Sequence, residues 1–430
     1  MTAAWIRHAL DTKRSGRPLD AATWTRLVDG YVDGSIAEPP IAALLMATAI
    51  RGMTGEEIAA LTEAMVHSGD VLHFDGVVVD KHSSGGVGDS ISLVVVPLVA
   101  ACGVQVAKLS GRSLGHTGGT LNKLESIPGV RTDLTTAAFR AQVARIGCAI
   151  AAQSDRLVPA DRRLYDLRDR TGTIASVGLI AGSIVSKKIA GGASSIVFDV
   201  KLGSGAFMQT IDEARELAQV MVDLAHRFDR RASALVTDMH EPLGPAVGDA
   251  LEVIEARDFL RGLGRDARLA EVVQLVATEM LAVGGMARDE APARLQMALE
   301  SGAAYERLIA LVEAQGGTQA GLEGLRVPAA RVTARADRDG IVQAVDTVAI
   351  GDRARAAVDV HGNDGGVIVR VRIGDRVRTG DTLAEVIGSD DAAGLAAAFV
   401  LGDAPVARRP MLAAAVRDAD PVASSNHVPQ

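Results

Sequence analysis

Two loops in this 430-residue chain concentrate the groups that could do chemistry. The first is Lys81-His82-Ser83-Ser84-Gly85-Gly86-Val87-Gly88-Asp89-Ser90. The second is Ser110-Gly111-Arg112-Ser113-Leu114-Gly115-His116-Thr117-Gly118-Gly119-Thr120. Glycines let backbone N–H groups turn inward, Ser and Thr add hydroxyl donors, and Lys81 adds a full positive charge. A helix N-terminus behind each loop would add further positive potential, which completes the physical needs of an oxyanion site. Neither loop is a Walker A sequence or a G-x-G-x-x-G, so a nucleotide P-loop and a dinucleotide fold are disfavoured. A third cluster is helical. Ser183 and Lys187 are four apart and share a helix face, while Asp161 and Arg168, seven apart, share a face of the preceding helix. Alone, these read as surface charge on amphipathic helices. His240-Glu241 is followed by Pro242 and lacks a second His at metalloprotease spacing.

The elements that must position these loops follow from periodicity. Residues 1–67 are helical in texture, with Thr54 as an N-cap and Glu57 as its capping-box partner. From Val71 the pattern becomes strand–loop–helix twice over. Val77-Val78-Val79 precedes the first loop and the run Val104 to Leu109 precedes the second, with the apolar stretch Ile91 to Cys102 between them. That is the signature of a parallel α/β sheet, whose C-terminal edge is where ligands bind. Residues 160–190 return to helix. Ser195 to Val200 reads as another buried strand, and helices and strands alternate to about 330. The chain then becomes Val/Gly-rich with short alternating strands. The expected divisions are 1–67 and 159–190 as two parts of an all-helical lobe, 70–158 and 193–333 as two parts of an α/β lobe with a mainly parallel central sheet, and 334–430 as a small β-rich (α+β) domain with a frayed tail.

Composition bounds the rest. A 48% hydrophobic, 23% charged chain is globular, and with 3% aromatics its core must be built from Ala, Val, Leu and Ile. Forty-five basic against 53 acidic residues give a formal charge of −8, which argues against a nucleic-acid or anionic-membrane binder. Cys102 and Cys148 cannot build a disulfide framework, so a reducing compartment is the default. No export signal is evident, and the apolar stretch around Leu93 to Val104 is interrupted by Pro97 and Gly103. A cytoplasmic protein is expected, with no membrane partner.

Four blocks in order carry a resemblance: KHSSGGVGDSISL, SGRSLGHTGGTLNKLESIPG, RRLYDLRD with LIAGSIVSKK, and VFDVKLGSGAFM. Together they resemble the thymidine phosphorylase and pyrimidine-nucleoside phosphorylase family along essentially the whole chain. The resemblance implies a homodimer formed through the helical lobe, and hinge closure of a base-binding helical lobe on a phosphate-binding α/β lobe. It implies phosphate held by Lys81, Ser83, Ser92, Ser110 and Thr120. The pyrimidine would be held by His82, Arg168, Ser183 and Lys187, with His82, Arg168 and Lys187 catalytic. No cofactor is required and inorganic phosphate is the co-substrate. Potassium is a further ligand the family can hold, at positions matched by Gly88, Ser90, Leu243, Ala246 and Glu255. Lys108 stands where thymidine-restricted members carry Met and broader members carry Lys, so it implies uridine as well as thymidine and deoxyuridine as substrates. Ser84, Ser113 and Asn122 depart from the family's usual Thr, Gly and Asp.

Three rival readings remain. One is a thymidine phosphorylase restricted to 2′-deoxynucleosides. Another is an anthranilate-type phosphoribosyltransferase of the same fold, which would need a ribosyl pyrophosphate and magnesium. The third is a carrier module in the C-terminal IGDRVRTGDTLAEV, but VDVHGNDGGV offers no Lys for a hairpin tip, so the domain reads as structural.

Overall fold

The computed structural model describes residues 3–112, 118–153, 156–389, 392 and 394–417. Ser113 and the tail 418–430 lie outside the described residues. The chain opens with four helices, α1 (Ala4–Arg14), α2 (Ala21–Val32), α3 (Glu38–Arg51) and α4 (Gly55–Val66). Their ends are set by side chains. Asp20 accepts the Thr23 N–H at 2.7 Å. Thr54 and Glu57 form the expected capping box, satisfying two N-terminal donors reciprocally. Glu57 also takes the Lys13 ammonium at 2.7 Å, a buried pair that ties α1 to α4.

The α/β part follows as β1 (Val78–Ser83), α5 (Ile91–Ala101), β2 (Gln105–Ser110), α6 (Thr120–Glu125), α7 (Thr136–Ile146) and β3 (Cys148–Ala152). The chain then returns to helix in α8 (Pro159–Thr171) and α9 (Val177–Ala190). Val158, Ala160, Leu164, Leu167, Leu179 and Ala190 share one apolar core with residues of α1–α4, so the two helical segments form one bundle. The sheet resumes with β4 (Ser195–Leu202), α10 (Ile211–Arg227), β5 (Arg231–Asp238), β6 (Ala246–Val247), α11 (Asp249–Leu260) and α12 (Ala267–Val283). Helices α13 (Ala291–Glu300), α14 (Ala303–Ala314) and α15 (Gln319–Gly324) complete this part.

Strands β3, β2, β1, β4 and β5 lie side by side and parallel. Both faces are covered, as a parallel sheet requires. Val79, Val106 and Val197 point into a core with α5 and α11–α14. Ile196, Phe198 and Val200 point into another with α9 and α10. Helix α5 is buried on every side and runs through Pro97, so the proline that interrupts the apolar stretch does not end the helix.

The C-terminal part holds β7 (Arg331–Arg335), β8 (Gly340–Val345), α16 (Thr347–His361), β9 (Gly366–Val369), β10 (Arg376–Val377), β11 (Thr382–Ile387), β12 (Phe399–Gly402) and β13 (Leu412–Val416). Helix α16 supplies the helical share of the expected α+β domain, and VDVHGNDGGV runs from its last turn into β9 rather than forming a hairpin tip. The chain also crosses between parts. β6 pairs with β9, and β13 returns to pair antiparallel with β5 at the edge of the large sheet. The short apolar strand Leu412-Ala413-Ala414-Ala415-Val416 pairs there and covers an edge that would otherwise be exposed. Among the described residues, no helix is long and apolar enough to cross a membrane.

Candidate active site

The residues singled out for the oxyanion site converge on two neighbouring strand ends. Lys81, His82 and Ser83 are the last three residues of β1, and Ser110 is the last of β2. Ser92 lies in the first turn of α5, and Thr120 opens α6. The arrangement follows from right-handed β–loop–helix units, which bring loops to one sheet edge and aim helix N-termini at it. Lys81 and Ser92 are buried, with Lys81 at 0% exposure. Ser83 donates its hydroxyl to Asp89 at 2.7 Å. Burial alone would raise the Asp89 carboxyl, but Lys201, Lys81 and Lys123 outweigh it and hold it well below the usual carboxylate range. Ser84, one of the departures from the family pattern, accepts the Lys201 backbone N–H at 2.8 Å through its hydroxyl.

The helical cluster gathers on α8 and α9. Lys187 donates to Ser183 Oγ at 2.7 Å and to Asp161 Oδ2 at 2.6 Å. Burial lowers the Lys187 ammonium from its ordinary value, opposed by Asp161. The Tyr165 ring lies 5.9 Å from both the Arg168 guanidinium carbon and Lys187 Nζ. Arg168 is buried and donates to the carbonyls of Thr173, Ile174 and Leu179 at 3.3, 2.8 and 2.9 Å. Those bonds fix the plane of the fork and use three of its five donors.

His82 belongs to the sheet, yet the charges bearing on it come from both parts. Burial first, then Lys188 and Lys187 of α9 and Lys108 and Lys81 of the strands, push its pKa well below 6.5. The imidazole is therefore neutral near neutral pH and offers one N–H. Lys108, read from the resemblance as the residue beside the sugar, is 2% exposed and turned inward. It donates to the Lys81 carbonyl at 2.7 Å, and burial, then Lys188, drive its pKa well below the ordinary lysine value. Lys188 donates to Asp80 at 2.8 Å and to the Leu109 carbonyl at 2.7 Å, bonding α9 to β1 and β2.

The five positions proposed around potassium also come together. Ser90 donates to Glu255 Oε2 at 2.6 Å, and the Ala246 N–H donates to Oε1 at 3.2 Å. The Leu243 N–H reaches Val87 O at 3.1 Å and the Gly244 N–H reaches Gly88 O at 3.0 Å. Gly88 has φ +62°, and a Cβ there would meet the Gly244 and Ala246 carbonyls at 3.0 Å. Burial pushes the Glu255 carboxyl up to about 8. The Leu243 carbonyl accepts from the Arg372 guanidinium at 3.2 Å, so a cation at these positions would share that oxygen with a positive side chain.

Sequence reasoning missed Asp161 as a partner of Lys187, and it missed Tyr165, Asp80, Lys188, Asp199 and Lys201. All lie inside the quoted blocks or beside them, but their roles depend on contacts between elements distant in sequence.

Comparison with known proteins agrees with this geometry. The family model described as "Glycosyl transferase family, a/b domain" matches residues 75–305, and "Glycosyl transferase family, helical bundle domain" matches 7–69. A protein named thymidine phosphorylase from Burkholderia orbicola (strain MC0-3) is 44% identical over 418 residues, covering 91% of this chain and 95% of its own. A protein named pyrimidine-nucleoside phosphorylase from Geobacillus stearothermophilus is 41% identical over 395 residues, covering 88% and 90%. Among solved structures, anthranilate phosphoribosyltransferase from Thermus thermophilus shares the fold at 20% identity. Its TM-score is 0.56, and the match covers 71% of this chain and 99% of that one. With loops, bundle and sheet matched over nearly its whole length, the chain belongs to the glycosyl transferase family that includes the thymidine phosphorylases and pyrimidine-nucleoside phosphorylases.

Proposed function

We propose that this protein catalyses the reversible phosphorolysis of pyrimidine nucleosides, giving the free base and the α-pentose 1-phosphate. The observation that carries the reading is the docking of α9 on the strand ends: Lys188 donates to Asp80 of β1 and to the Leu109 carbonyl of β2. That sets the Lys187–Tyr165 cluster of α8 and α9 on the same side of the molecule as the strand ends that would form an oxyanion cradle. Phosphate, held by Lys81, Ser83, Ser92, Ser110 and Thr120, attacks C1′ of the sugar. The C–N bond breaks through an oxocarbenium-like state, as in glycoside cleavage, and no protein nucleophile is required. Negative charge grows on the departing base. The neutral His82 N–H, the remaining Arg168 donors and the Lys187 ammonium take it up by hydrogen bonding, with Ser183 fixing the base edge.

Lys108 supports a substrate range that includes uridine as well as thymidine and deoxyuridine. One of its hydrogens serves the Lys81 carbonyl, and the others remain for a ribose hydroxyl or phosphate. Gly88, Ser90, Leu243, Ala246 and Glu255 would hold potassium, whose charge would keep the Glu255 carboxylate ionised and brace the loop after β1. No other cofactor is needed. The α3 residues Met46 and Ile50 are 41% and 71% exposed, which supports a homodimer through the helical lobe. Two free, buried cysteines suit a reducing cytoplasm.

The test is release of free base from uridine, thymidine, deoxyuridine and cytidine, with and without phosphate, and without added magnesium. The expected result is phosphate-dependent release from the first three and none from cytidine. Activity on thymidine with none on uridine would favour the 2′-deoxy-restricted reading. Activity only with a ribosyl pyrophosphate and magnesium would overturn phosphorolysis.

A further inference from the structure

The Lys81 ammonium is wholly buried, yet among the described residues it has no hydrogen-bond acceptor. An uncompensated buried charge is costly, so something must balance it. The balancing group is Asp199 on the neighbouring strand β4, whose Oδ2 lies 3.2 Å from Lys81 Nζ but outside hydrogen-bonding alignment. Asp199 is fixed without help from Lys81. Lys201 Nζ is 2.7 Å from the same oxygen, likewise an ion pair rather than an aligned hydrogen bond. The Thr237 hydroxyl on β5 donates to Oδ1 at 2.6 Å and accepts from Lys201 at 3.1 Å. Asp199, Lys201 and Thr237 are all at 0% exposure. Lys201 also lies 3.8 Å from Asp89, the acceptor of the Ser83 hydroxyl. One buried lysine thus touches the partners of both Lys81 and Ser83.

We propose that Asp199, clamped by Lys201 and Thr237, is a positioning residue of the phosphate site. It holds the Lys81 ammonium in place by charge while leaving its hydrogens uncommitted. A fully formed, charge-assisted bond to Asp199 would compete with phosphate for those hydrogens. Loss of the carboxylate would remove the counter-charge that lies 3.2 Å from the ammonium and free it to turn away. The two lysines and the two carboxylates Asp199 and Asp89 sum to zero, so Lys81 can face an incoming oxyanion without first surrendering an aligned partner. This inference rests on the reading that Lys81 binds phosphate.

The experiment is steady-state kinetics with phosphate varied at saturating thymidine, for wild type, Asp199→Asn, Thr237→Val, Lys81→Ala and the Lys81→Ala/Asp199→Asn double variant. Asp199→Asn is expected to raise the phosphate KM about tenfold while kcat stays within about threefold, with the thymidine KM unchanged. Thr237→Val, which keeps every charge, should move the phosphate KM in the same direction by about threefold. In the Lys81→Ala background, Asp199→Asn should add less than about twofold, because the partner it positions is gone. An equal penalty with and without Lys81 would mean a packing role and overturn the proposal. So would a folded Asp199→Asn enzyme with normal phosphate KM while Lys81→Ala is impaired, and that result would leave the phosphate assignment standing. Should Asp199→Asn not fold, Thr237→Val decides: an unchanged phosphate KM overturns the proposal. Normal phosphate kinetics in Lys81→Ala would overturn the phosphate assignment and this inference with it.

Discussion

At the scale of single residues, the two sides of the proposed site should fail differently. Arg168→Ala and Lys187→Ala should each lower kcat on the order of 10²–10³-fold, while phosphate binding, measured by calorimetry, stays near normal. Arg168→Lys should not restore activity. Three carbonyls grip the guanidinium at defined angles, and an ammonium on a flexible stem cannot reproduce a planar fork. Near-normal thymidine phosphorolysis in either alanine variant would place the base elsewhere. Lys108→Met should depress uridine turnover more than thymidine turnover, because a thioether cannot donate to a 2′-hydroxyl. Equal losses on both substrates would assign Lys108 to holding the Lys81 carbonyl alone. These residue types and spacings were legible in the sequence. The acceptors that orient them were not: Asp161 is 26 positions from Lys187, and only the packing of α8 on α9 joins the two.

At the scale of elements, the segment from Leu243 through β6 to α11 should respond to pH and to cations. It brings Glu255 against Ser90 at the start of α5. With its folded pKa raised to about 8 from an ordinary value of 4.5, Glu255 contributes stability that is fully present below the unfolded pKa. That contribution is lost as pH rises towards 8, because the native state must then ionise a buried carboxyl. A cation bound there favours the carboxylate and removes that penalty. Potassium should therefore raise the melting temperature more at pH 8.5 than at pH 6, compared with tetramethylammonium at equal ionic strength. Glu255→Gln should abolish the difference. The same potassium effect at both pH values, or in Glu255→Gln, would move the cation away from this cluster. The segment itself was partly legible: helices and strands were expected to alternate up to about residue 330. That Ala246–Val247 would form a strand and pair with β9 of the C-terminal part was not, because a two-residue strand carries no periodicity of its own.

At the scale of the whole molecule, the proposal requires two lobes that act together and two copies that pair. Closure of the bundle on the sheet should bring phosphate oxygen to the roughly 3–3.5 Å of C1′ that reaction demands. Small-angle scattering should show a smaller radius of gyration with phosphate and a pyrimidine together than with either alone. No further contraction with both would count against closure. For the dimer, Ile50→Glu places a charge on the exposed side of α3 and should shift the sedimentation coefficient from dimer to monomer without loss of helical signal. A variant that stays dimeric would locate the interface on another surface.

The sequence alone determined most element types, the return of the chain from sheet to helix, and the two Gly/Ser loops that follow β1 and β2. Those features are local: hydrophobic period, capping residues such as Thr54 and Glu57, and glycine-rich turns act over a few positions. Four ordered blocks supplied the family and, with it, the base-side residues that spacing by itself left as surface charge. The tertiary structure decided what long-range contact decides. It turned Lys108 inward to the Lys81 carbonyl, set Lys188 on Asp80, and placed helix α16 among the C-terminal strands. It also returned β13 to the edge of the large sheet. Buried charges find partners across elements because desolvation forces them to, and no local pattern encodes which partner lies within reach.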